Sequence, residues 1–527
     1  MAKALPWWQR AAIYQLLVPS FFDTDDDGMG DLPGVTRKLE YLQWLGVGAV
    51  WLSPIYASPF EDLGYDVSDY TSVEPRLGTL EDFDALIREA HGRALKVILD
   101  WVPNHTSSSH PWFLNARSSR DHPQRDWYIW RDPRPDGSSP NNWISIFGGS
   151  VWEFDEASGQ YYMHTFLKEQ PDLNWANPDV QEAVLKAMRF WLDRGVDGFR
   201  LDALDLLIKD SQFTDNPPNP SYNSETDGPD MAVLPTYTRN QPGVHDAVVA
   251  MRSLVSEYED CVLLGELYLP IDQIVAFYGT EKPELHLPLQ PVFGSLKWTT
   301  DELYGLIDAY VGQIPQHAWP SWMMSTHDGH RVVSRAGPAQ APVAAMMLLT
   351  LWGTPIIYYG DEIGMHDVEV PPEKEKDPQG KRIGRKRDPV RTPMQWNDWF
   401  QAGFTSADPW LPVAEDYRST NVHEQSDAAS LLTLHRRLLA LRRETPALVS
   451  GSFTLSPPRE NVIAYRREGE GERLHVLLNL GSDPRAIELE DDGERGRVLL
   501  STYLDRENDT IEKTVELRGN EGLIIAI

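Results

Sequence analysis

Residues 94–105, ALKVILDWVPNH, form a short apolar run that ends in polar residues. The run contains β-branched and aromatic residues that favour a strand, and it is short for a helix. Six runs of the same kind occur at 12–23, 47–56, 195–203, 261–268, 321–328 and 354–362, with a weaker candidate, ELHLPLQPVF, at 284–293. The sequence therefore predicts seven clear buried strands and an eighth weak one.

Helical segments separate the first three strands. LPGVTRKLEYLQWLG at 32–46 and TLEDFDALIREAHGR at 79–93 carry apolar residues at helical spacing. Apolar strands that alternate with helices are typical of a parallel sheet covered on both faces. Eight such strands predict an α/β fold of the (β/α)8 (TIM) barrel type. The alternative is a doubly wound open sheet, which is disfavoured because no glycine-rich phosphate loop follows the first strand.

The alternation is interrupted after the third strand. Residues 104–174 are crowded with Trp, Pro, Asn and Gly, and long irregular stretches recur at 210–246 and 367–410. Loops of this length are usually functional or disordered. Beyond residue 450 the chain changes to short segments typical of antiparallel strands. The predicted organisation is a catalytic barrel (1–103 and 175–450), an inserted subdomain (104–174) and a C-terminal antiparallel β domain (451–527).

Composition excludes several classes of partner. The formal net charge is −31 and the pI is about 4.8, which disfavours binding to nucleic acid or to anionic membranes. The single cysteine, Cys261, rules out an intrachain disulfide. The apolar region 344–360 is broken by Gly353 and Pro355, so it predicts a buried helix, a turn and a strand, not a membrane span. With no signal peptide at the N-terminus, these features predict a cytoplasmic protein.

An acidic loop, DTDDDGMGD at 23–31, follows the first strand. Aspartates on alternate residues with a glycine after the third resemble the first half of an EF-hand calcium loop. The position that should hold a bidentate glutamate is Gly34, and no suitable helix precedes the loop. The spacing therefore predicts a cation-binding loop that is not an EF-hand.

Charged residues end four of the predicted strands, and their chemistry is that of glycoside hydrolysis. Arg200 and Asp202 are two residues apart on a strand and share a face, so the guanidinium is expected to keep the carboxylate ionised, as a nucleophile requires. Glu266 and Asp328 end later strands. Carboxylates that converge in one pocket repel each other, which predicts that at least one has a raised pKa and is protonated. A carboxylate nucleophile and a protonated acid are the groups used in retaining glycoside hydrolysis.

Several motifs taken together resemble glycoside hydrolase family 13, the α-amylase family, along the whole chain. They are GYDVSDY (64–70), VPNHTSSSHPWF (102–113), GFRLDA (198–203), GEL (265–267), GTPIIYYGDEIGM (353–365) and RTPMQW (391–396) followed by AGFT. The closest likeness is to the α-glucosidase and oligo-1,6-glucosidase branch. The chain departs from that branch at Leu17–Pro19 and at Thr326, which concerns details of the pocket and not the reaction.

The resemblance implies a role for each candidate residue. Asp202 would be the nucleophile, Glu266 the general acid/base and Asp328 the third carboxylate, which holds the glucose 2- and 3-hydroxyls. The implied substrate-binding residues are Tyr65, which stacks on the terminal glucose; Asp66 and Arg391, which pair and close the pocket; Phe147 and Phe166 at the entrance; His105 and His327, which donate hydrogen bonds to sugar hydroxyls; and Arg200 and Ala203 beside the nucleophile.

The resemblance also implies a structural calcium in the acidic loop. Its ligands would be Asp23, Asp25, Asp27, Asp31 and the carbonyl of Met29. Magnesium is the alternative, but a flexible all-oxygen loop suits calcium better. No organic cofactor is expected.

The predicted function is a retaining, exo-acting α-glucosidase with transglucosylation as a side activity, working as a monomer or homodimer. Ala203 is small, and in this family a valine there accompanies α-1,6 preference, so α-1,4 (maltose-type) substrates are expected. Three alternatives stay open at this point: an oligo-1,6-glucosidase, a sucrose or maltose isomerase on the same fold, and a non-catalytic amylase-like binding protein.

Overall fold

The computed structural model describes residues 5–225, 227–427, 429–489 and 495–527. Its central sheet has eight parallel strands, and all eight predicted strands, including the weak one, are found in it. In chain order they are β1 (Ile13–Leu16), β2 (Ala49–Leu52), β3 (Lys96–Trp101), β4 (Gly198–Leu201), β5 (Val262–Glu266), β6 (Leu287–Leu289), β7 (Ser321–Met323) and β8 (Thr354–Tyr358).

The sheet curves into a nearly closed barrel. Strands pair in the order β6-β5-β4-β3-β2-β1-β8-β7, and Ile13 of β1, for example, lies opposite Ala49 of β2 and Ile356 of β8. The two end strands are joined by a hydrogen bond of 2.9 Å, which Ser321 Oγ of β7 donates to the Pro288 carbonyl of β6. The apolar cluster that includes Ile13, Ala49 and Ile356 is separate from the main core. The barrel thus has a packed interior, as this fold requires.

Helices cover the outside of the barrel. The longer ones are Leu32–Leu45, Leu80–Gly92, Pro178–Leu192, Val244–Val255, Thr300–Gln313, Ala341–Thr350 and Leu431–Glu444. Shorter ones are Trp7–Arg10, Val18–Phe21, Pro111–Ser118, Ile271–Ala276, Val332–Ala336, Pro378–Ile383, Val422–Gln425 and Pro446–Val449. Helix Leu80–Gly92 begins with a capping box between Thr79 and Asp82 and buries its apolar stripe against the sheet. Helix Ala341–Thr350 is buried on all sides and leads into β8, as predicted. None of the helices in the described part of the chain is both long and apolar enough to cross a bilayer.

Four further sheets in the described residues lie outside the barrel, one of them the short pair Tyr56–Ala57 and Asp69–Val73. Between β3 and β4 in sequence, strands Trp130–Arg131, Trp152–Asp155 and Gln160–Met163 form a three-stranded antiparallel sheet. At the C-terminal end, a six-stranded antiparallel sheet is formed by Ser452–Leu455, Val462–Gly469, Glu472–Asn479, Gly496–Ser501, Thr510–Ile511 and Gly522–Ala526, and Arg485–Glu488 pairs with Thr514–Leu517. The C-terminal β domain is therefore confirmed.

Candidate active site

A cavity of about 990 Å³ opens at the carboxyl ends of the barrel strands. Nine of the residues predicted from the sequence line it: Tyr65, His105, Phe147, Phe166, Asp202, Ala203, Glu266, His327 and Asp328. Three others, Asp66, Arg200 and Arg391, are buried behind its wall. Parallel strands bring residues far apart in sequence to one rim, and this explains why the strand ends meet here.

Arg200 is the centre of the site. Its Nη1 contacts Asp100 Oδ1 and Asp202 Oδ1, each at 2.7 Å, and its Nη2 contacts Glu266 Oε1 at 2.6 Å. The guanidinium is 1% exposed, so solvent does not screen these ion pairs. One positive charge therefore faces three carboxyl groups in a dry environment.

Burial, together with repulsion between like charges, raises the pKa of the clustered carboxyl groups. Burial is the largest cause of the raised pKa of Asp202, and repulsion by Glu266 adds to it although Arg200 opposes it. The pKa of Glu266 is also raised, again mainly by burial. The expectation of a raised pKa among the carboxylates is met. Arg200 was expected to keep Asp202 ionised. Its positive charge does lower the pKa of Asp202, but burial outweighs that effect, and the guanidinium is shared with two more acids. The cluster titrates as a unit.

Asp328 lies in a different electrostatic setting. Its carboxylate is 2.6 Å from Arg391 Nη2, 3.3 Å from Arg387 Nη1 and 3.1 Å from His327 Nε2. Burial opposes ionisation, but these cationic and hydrogen-bonding neighbours hold the pKa of Asp328 below its ordinary value. Asp328 is thus anionic in the same cavity as Asp202 and Glu266, whose pKa values are raised.

The pair that closes the pocket differs from the predicted Asp66–Arg391 pair. Asp66 is fully buried, accepts hydrogen bonds from Ser58 Oγ and from backbone N–H groups, and burial raises its pKa to about 6. It stabilises its own turn and does not reach the cavity. Instead, Arg387 Nη2 contacts Asp62 Oδ1 at 2.7 Å, and both residues line the cavity. Asp62 and Arg387 therefore take the place predicted for Asp66 and Arg391.

Tyr65 and His327 are held by one hydrogen-bond network. The Tyr65 hydroxyl donates to Asp100 Oδ2 at 3.0 Å and lies 2.7 Å from His327 Nε2. Gln15 Nε2 lies 2.8 Å from His327 Nδ1, so the network assigns the imidazole proton to Nε2. Burial lowers the pKa of His327 to about 3, and the ring is a neutral hydrogen-bond donor. It can donate toward Asp328 or toward a ligand hydroxyl.

Aromatic rings from the inserted segment form one wall of the entrance. Phe147 and Phe166 pack edge to face, with ring centroids 5.6 Å apart, and the Arg387 guanidinium lies 5.0 Å from the centroid of Phe147. His105 lies 5.1 Å from Phe166, and burial lowers its pKa to about 4. These residues add aromatic surface to a cavity that also contains carboxylates, a combination typical of small-molecule sites.

Ala203 adopts a left-handed backbone conformation directly after Asp202. Its φ is 48° and ψ is 38°, and its N–H donates to Glu266 Oε2 at 3.2 Å. A non-glycine residue with this φ is uncommon and costs free energy. The turn fixes the two carboxyl groups relative to each other.

The acidic loop brings three of its aspartates together. Carboxylate oxygens of Asp23, Asp25 and Asp27 lie within 4.8 Å of one another. Burial and repulsion by Asp27 raise the pKa of Asp25. Asp31 differs from the prediction: both its oxygens accept hydrogen bonds from Thr24, and it caps helix Leu32–Leu45. A side chain at residue 34 would meet the Phe22 carbonyl oxygen at 1.9 Å, so the loop has no room for an EF-hand glutamate.

The sequence analysis missed four residues of the site. Asp100 and Gln15 are buried at strand ends and hold Arg200 and His327. Asp62 and Arg387 come from irregular loops. Asp62 lies just before GYDVSDY, but Arg387 belongs to the basic run 374–388 within the irregular stretch 367–410. The part of that run around Arg387 is buried and ion-paired, with Asp377 as well as Asp62.

Comparison with known proteins gives consistent matches along the chain. The model of the alpha amylase catalytic domain matches residues 15–451. A protein named "Probable alpha-glucosidase" from Rhizobium meliloti (strain 1021) is 39% identical over 503 residues, covering 92% of this chain and 91% of that protein. The oligo-1,6-glucosidase of Heyndrickxia coagulans is 37% identical over 557 residues, covering 97% and 98%.

Solved structures match equally well. The alpha-glucosyl transfer enzyme XgtA superposes with a TM-score of 0.92 at 38% identity, covering 99% of this chain and 100% of that one. A mutant of the trehalulose synthase MutB gives a TM-score of 0.91 at 34% identity with the same coverage. The relatives thus include a protein named as a probable alpha-glucosidase, an oligo-1,6-glucosidase, an alpha-glucosyl transfer enzyme and a trehalulose synthase.

Proposed function

The chain belongs to the alpha-amylase family of glycoside hydrolases, and we propose that it is a retaining, exo-acting α-glucosidase of short α-1,4-linked oligosaccharides. Glucosyl transfer to sugar acceptors is the proposed side activity. One observation carries the proposal: Asp202 and Glu266 bind the two terminal nitrogens of a single buried guanidinium. Such sharing favours the roughly 5–5.5 Å carboxyl separation of retaining enzymes over the roughly 6.5–9.5 Å of inverting ones.

In the first step Asp202 attacks C1 of the terminal glucose, and the bond from C1 to the glycosidic oxygen breaks. Glu266, whose pKa is raised by burial, gives a proton to that oxygen, so the leaving sugar departs as a neutral alcohol. Positive charge that develops on the sugar ring is stabilised by the anionic Asp328. The product of the step is a glucosyl ester of Asp202.

In the second step the ionised Glu266 takes a proton from water, and the oxygen attacks C1. The ester bond to Asp202 breaks, and glucose leaves with the α configuration because two inversions restore it. A sugar hydroxyl that replaces water gives transfer by the same chemistry. The Asp62–Arg387 ion pair and the neighbouring Asp328 line the cavity, and we infer that they hold the far hydroxyls of a terminal glucose, so that attack occurs at a chain end.

Product analysis on maltose tests the proposal. The expected result is glucose release, with the α anomer formed first by NMR and no turnover by Asp202→Asn. Conversion of maltose or sucrose into a different disaccharide would instead identify an isomerase on the same fold. No change in any of maltose, isomaltose and sucrose would contradict a role in turning over these sugars.

Linkage preference is proposed to depend on residue 203, which lines the cavity beside the nucleophile. We expect the natural enzyme to prefer maltose to isomaltose, and Ala203→Val to raise the ratio of kcat/KM for isomaltose over maltose about tenfold, the scale of one or two methyl groups in a pocket. Ala203→Gly is the matched control, because glycine relieves the strain of the left-handed backbone conformation without narrowing the pocket. An unchanged ratio in the valine variant would assign linkage to another residue.

We also propose that the loop 23–31 holds a structural calcium ion. The donor set supports it: three carboxylates lie within reach of one ion, which relieves the repulsion that raises the Asp25 pKa. Asp23 and Asp27 would bind it with Asp25, and magnesium is the alternative. Thr405 Oγ1 donates to Asp23 Oδ2 at 2.6 Å, so the loop is tied to the segment after RTPMQW. The reaction has no step that needs the ion.

Removal of divalent cations is expected to lower thermal stability. Calcium at 100 times its Kd stabilises the folded state by about 2.7 kcal/mol, and the melting temperature measured by circular dichroism should fall by a few degrees with chelator. Titration with calcium and magnesium separates the two ions. Asp25→Ala, an exposed position, should melt at the same temperature with and without calcium. If neither calcium nor magnesium changes the melting temperature of the natural protein, the loop does not hold a structural ion.

A further inference from the structure

A second cavity lies at the opposite end of the barrel from the active site. It has a volume of about 380 Å³, and Trp8, His286 and Trp319, which line it, precede β1, β6 and β7. The active-site cavity opens at the carboxyl ends of the strands, so the packed interior of the barrel separates the two. The mechanism above uses none of the residues that line this second cavity.

Arg252 brings a guanidinium to the second cavity without a carboxylate to neutralise it. Its Nη1 donates to the Glu284 carbonyl at 2.8 Å and its Nε to Ser256 Oγ at 3.3 Å, which fixes the position of the group. Within the described part of the chain its Nη2 has no partner and the residue makes no ion pair. Burial lowers the pKa of Arg252, and no acidic neighbour opposes that shift. A partly buried guanidinium without a counter-ion is suited to bind an anion.

His286 adds a neutral donor beside Arg252. It lies two residues after Glu284, whose carbonyl holds the guanidinium. Its Nδ1 accepts the Leu263 N–H at 2.9 Å, so the network assigns the ring proton to Nε2. Burial lowers the pKa of His286 to about 3, and the charge of Arg252 adds to that effect. The ring is therefore neutral at physiological pH, and its Nε2–H has no partner among the described residues.

Aromatic rings form another part of the wall. The rings of Trp8 and His286 pack edge to face, with centroids 5.2 Å apart, and Trp8 is partly exposed. The polar atoms of two deeper rings are used within the protein, because the Tyr278 hydroxyl donates to the Trp319 carbonyl at 2.8 Å and Trp319 Nε1 donates to Thr354 Oγ1 at 3.1 Å. The cavity therefore combines apolar surface with a small group of free donors.

The charge of the cavity wall is opposite in sign to that of the whole chain. Arg252 and Lys282 line the cavity, and Glu281, which is exposed, is the one acidic residue of the described lining. The nearby Glu284 carboxylate is paired with His245 Nδ1 at 2.7 Å. The lining thus carries net positive charge in a protein of net charge −31, which favours an anionic ligand.

We propose that this second cavity binds a phosphate group. Arg252 and Lys282 supply positive charge, and Arg252 Nη2 and His286 Nε2 donate to separate phosphate oxygens. The cavity is larger than a bare phosphate needs, and its aromatic surface suits the apolar face of a sugar ring, so the geometry favours a phosphate carried on a small sugar. Free phosphate has the same anionic chemistry, and the experiment separates the two sources.

Isothermal titration calorimetry of the full chain with inorganic phosphate, glucose 6-phosphate and glucose tests the proposal. Both phosphate compounds are expected to bind, and Arg252→Gln should weaken their binding at least about tenfold, the scale of a lost hydrogen bond to a charged group. Binding of the glucose part in the active site would persist in Arg252→Gln, so the loss of affinity reports the second cavity. Tighter binding of glucose 6-phosphate than of phosphate identifies a sugar phosphate as the ligand, and equal affinities identify the free ion.

Arg37→Gln is the matched control, because Arg37 is exposed on helix Leu32–Leu45 and does not line the cavity. If circular dichroism shows that Arg252→Gln does not fold, Lys282→Glu gives the comparison from an exposed position and should also weaken binding about tenfold, because it reverses a charge beside the anion. Its control is Lys513→Glu, at a side chain 71% exposed in the C-terminal domain.

Three results would overturn the inference. The first is that neither inorganic phosphate nor glucose 6-phosphate binds to the natural protein. The second is that the variants at Arg252 and Lys282 bind both compounds as tightly as the natural protein does. The third is that Arg252→Gln weakens the binding of glucose as much as that of glucose 6-phosphate, since the cavity would then recognise the sugar and not the phosphate.

Discussion

Replacement of Asp202 by asparagine is expected to lower kcat on maltose by at least about 10⁴-fold, the scale seen when a catalytic nucleophile is removed. The amide has nearly the shape of the carboxylate but cannot form the glucosyl ester. Its loss also removes one of the three acids that share Arg200, which relieves crowding of like charge. The melting temperature should therefore stay the same or rise while turnover disappears. Steady-state kinetics and circular dichroism on the same preparation measure both.

The control for this variant is Asp205→Asn, an identical change three residues later. If Asp202→Asn retains more than about a hundredth of natural kcat, a different group is the nucleophile. If both variants lose activity equally, the loss reflects the pocket as a whole and not the chemistry of residue 202.

Replacement of Glu266 by glutamine is expected to slow the hydrolysis of substrates with a poor leaving group much more than that of substrates with a good one. On maltose, kcat/KM should fall about 10²- to 10⁴-fold, because the leaving oxygen needs a proton. Hydrolysis of 2,4-dinitrophenyl α-glucoside needs little acid catalysis, so its first step should be nearly preserved and a burst of dinitrophenol should precede slow turnover. Stopped-flow absorbance records that burst.

The Glu266→Gln substitution is also expected to shift the pH dependence of kcat/KM in a defined direction. Glu266 is among the groups that raise the pKa of Asp202, so its neutralisation lowers that pKa. The acid limb of kcat/KM on the dinitrophenyl substrate should move to lower pH, because Asp202 becomes ionised earlier. The alkaline limb, which reports loss of the Glu266 proton, should vanish. An acid limb that moves to higher pH, or no burst, would assign the general acid elsewhere.

The strands, and the convergence of Asp202 and Glu266 in one cavity, were predictable because both depend on local pattern. An apolar run of four to six residues predicts a buried strand. A charged residue at the carboxyl end of such a strand must lie on the rim of the barrel. Asp202 and Glu266 follow that rule. Even the weak sixth strand was placed correctly, since the barrel needs a strand at that point.

The pair that closes the pocket was not predictable in this way. Asp62 and Arg387 are separated by 325 residues and come from two loops without periodicity. The sequence offered two aspartates and several arginines in these loops, and only the path of the chain in space selects among them. Asp31 carried an overlooked signal: an aspartate followed closely by Leu32 and Pro33 is a strong helix N-cap pattern, and it competes with the role of a cation ligand.

The pKa values depend on burial and shared partners, which no linear pattern records. Arg200 was correctly placed beside Asp202, yet the structure shows the guanidinium divided among three acids, with Asp100 unforeseen. The raised pKa of Asp202 follows mainly from burial, which outweighs the attraction of Arg200. Sequence spacing shows that two residues are close to each other. The protonation state of a buried residue depends in addition on its burial and on every charged group around it.

The left-handed turn at Ala203 has an evolutionary consequence. A β-branched side chain is disfavoured at φ 48°, by roughly 1–2 kcal/mol. The residue proposed to set linkage preference thus lies where a change of side chain also changes global stability. A lineage that shifts from one glucosidic bond to another by this route needs a reserve of stability beforehand, because most proteins lie close to their threshold. Evolution of a new linkage preference in such enzymes is therefore limited by the backbone conformation of this residue as well as by the shape of the sugar.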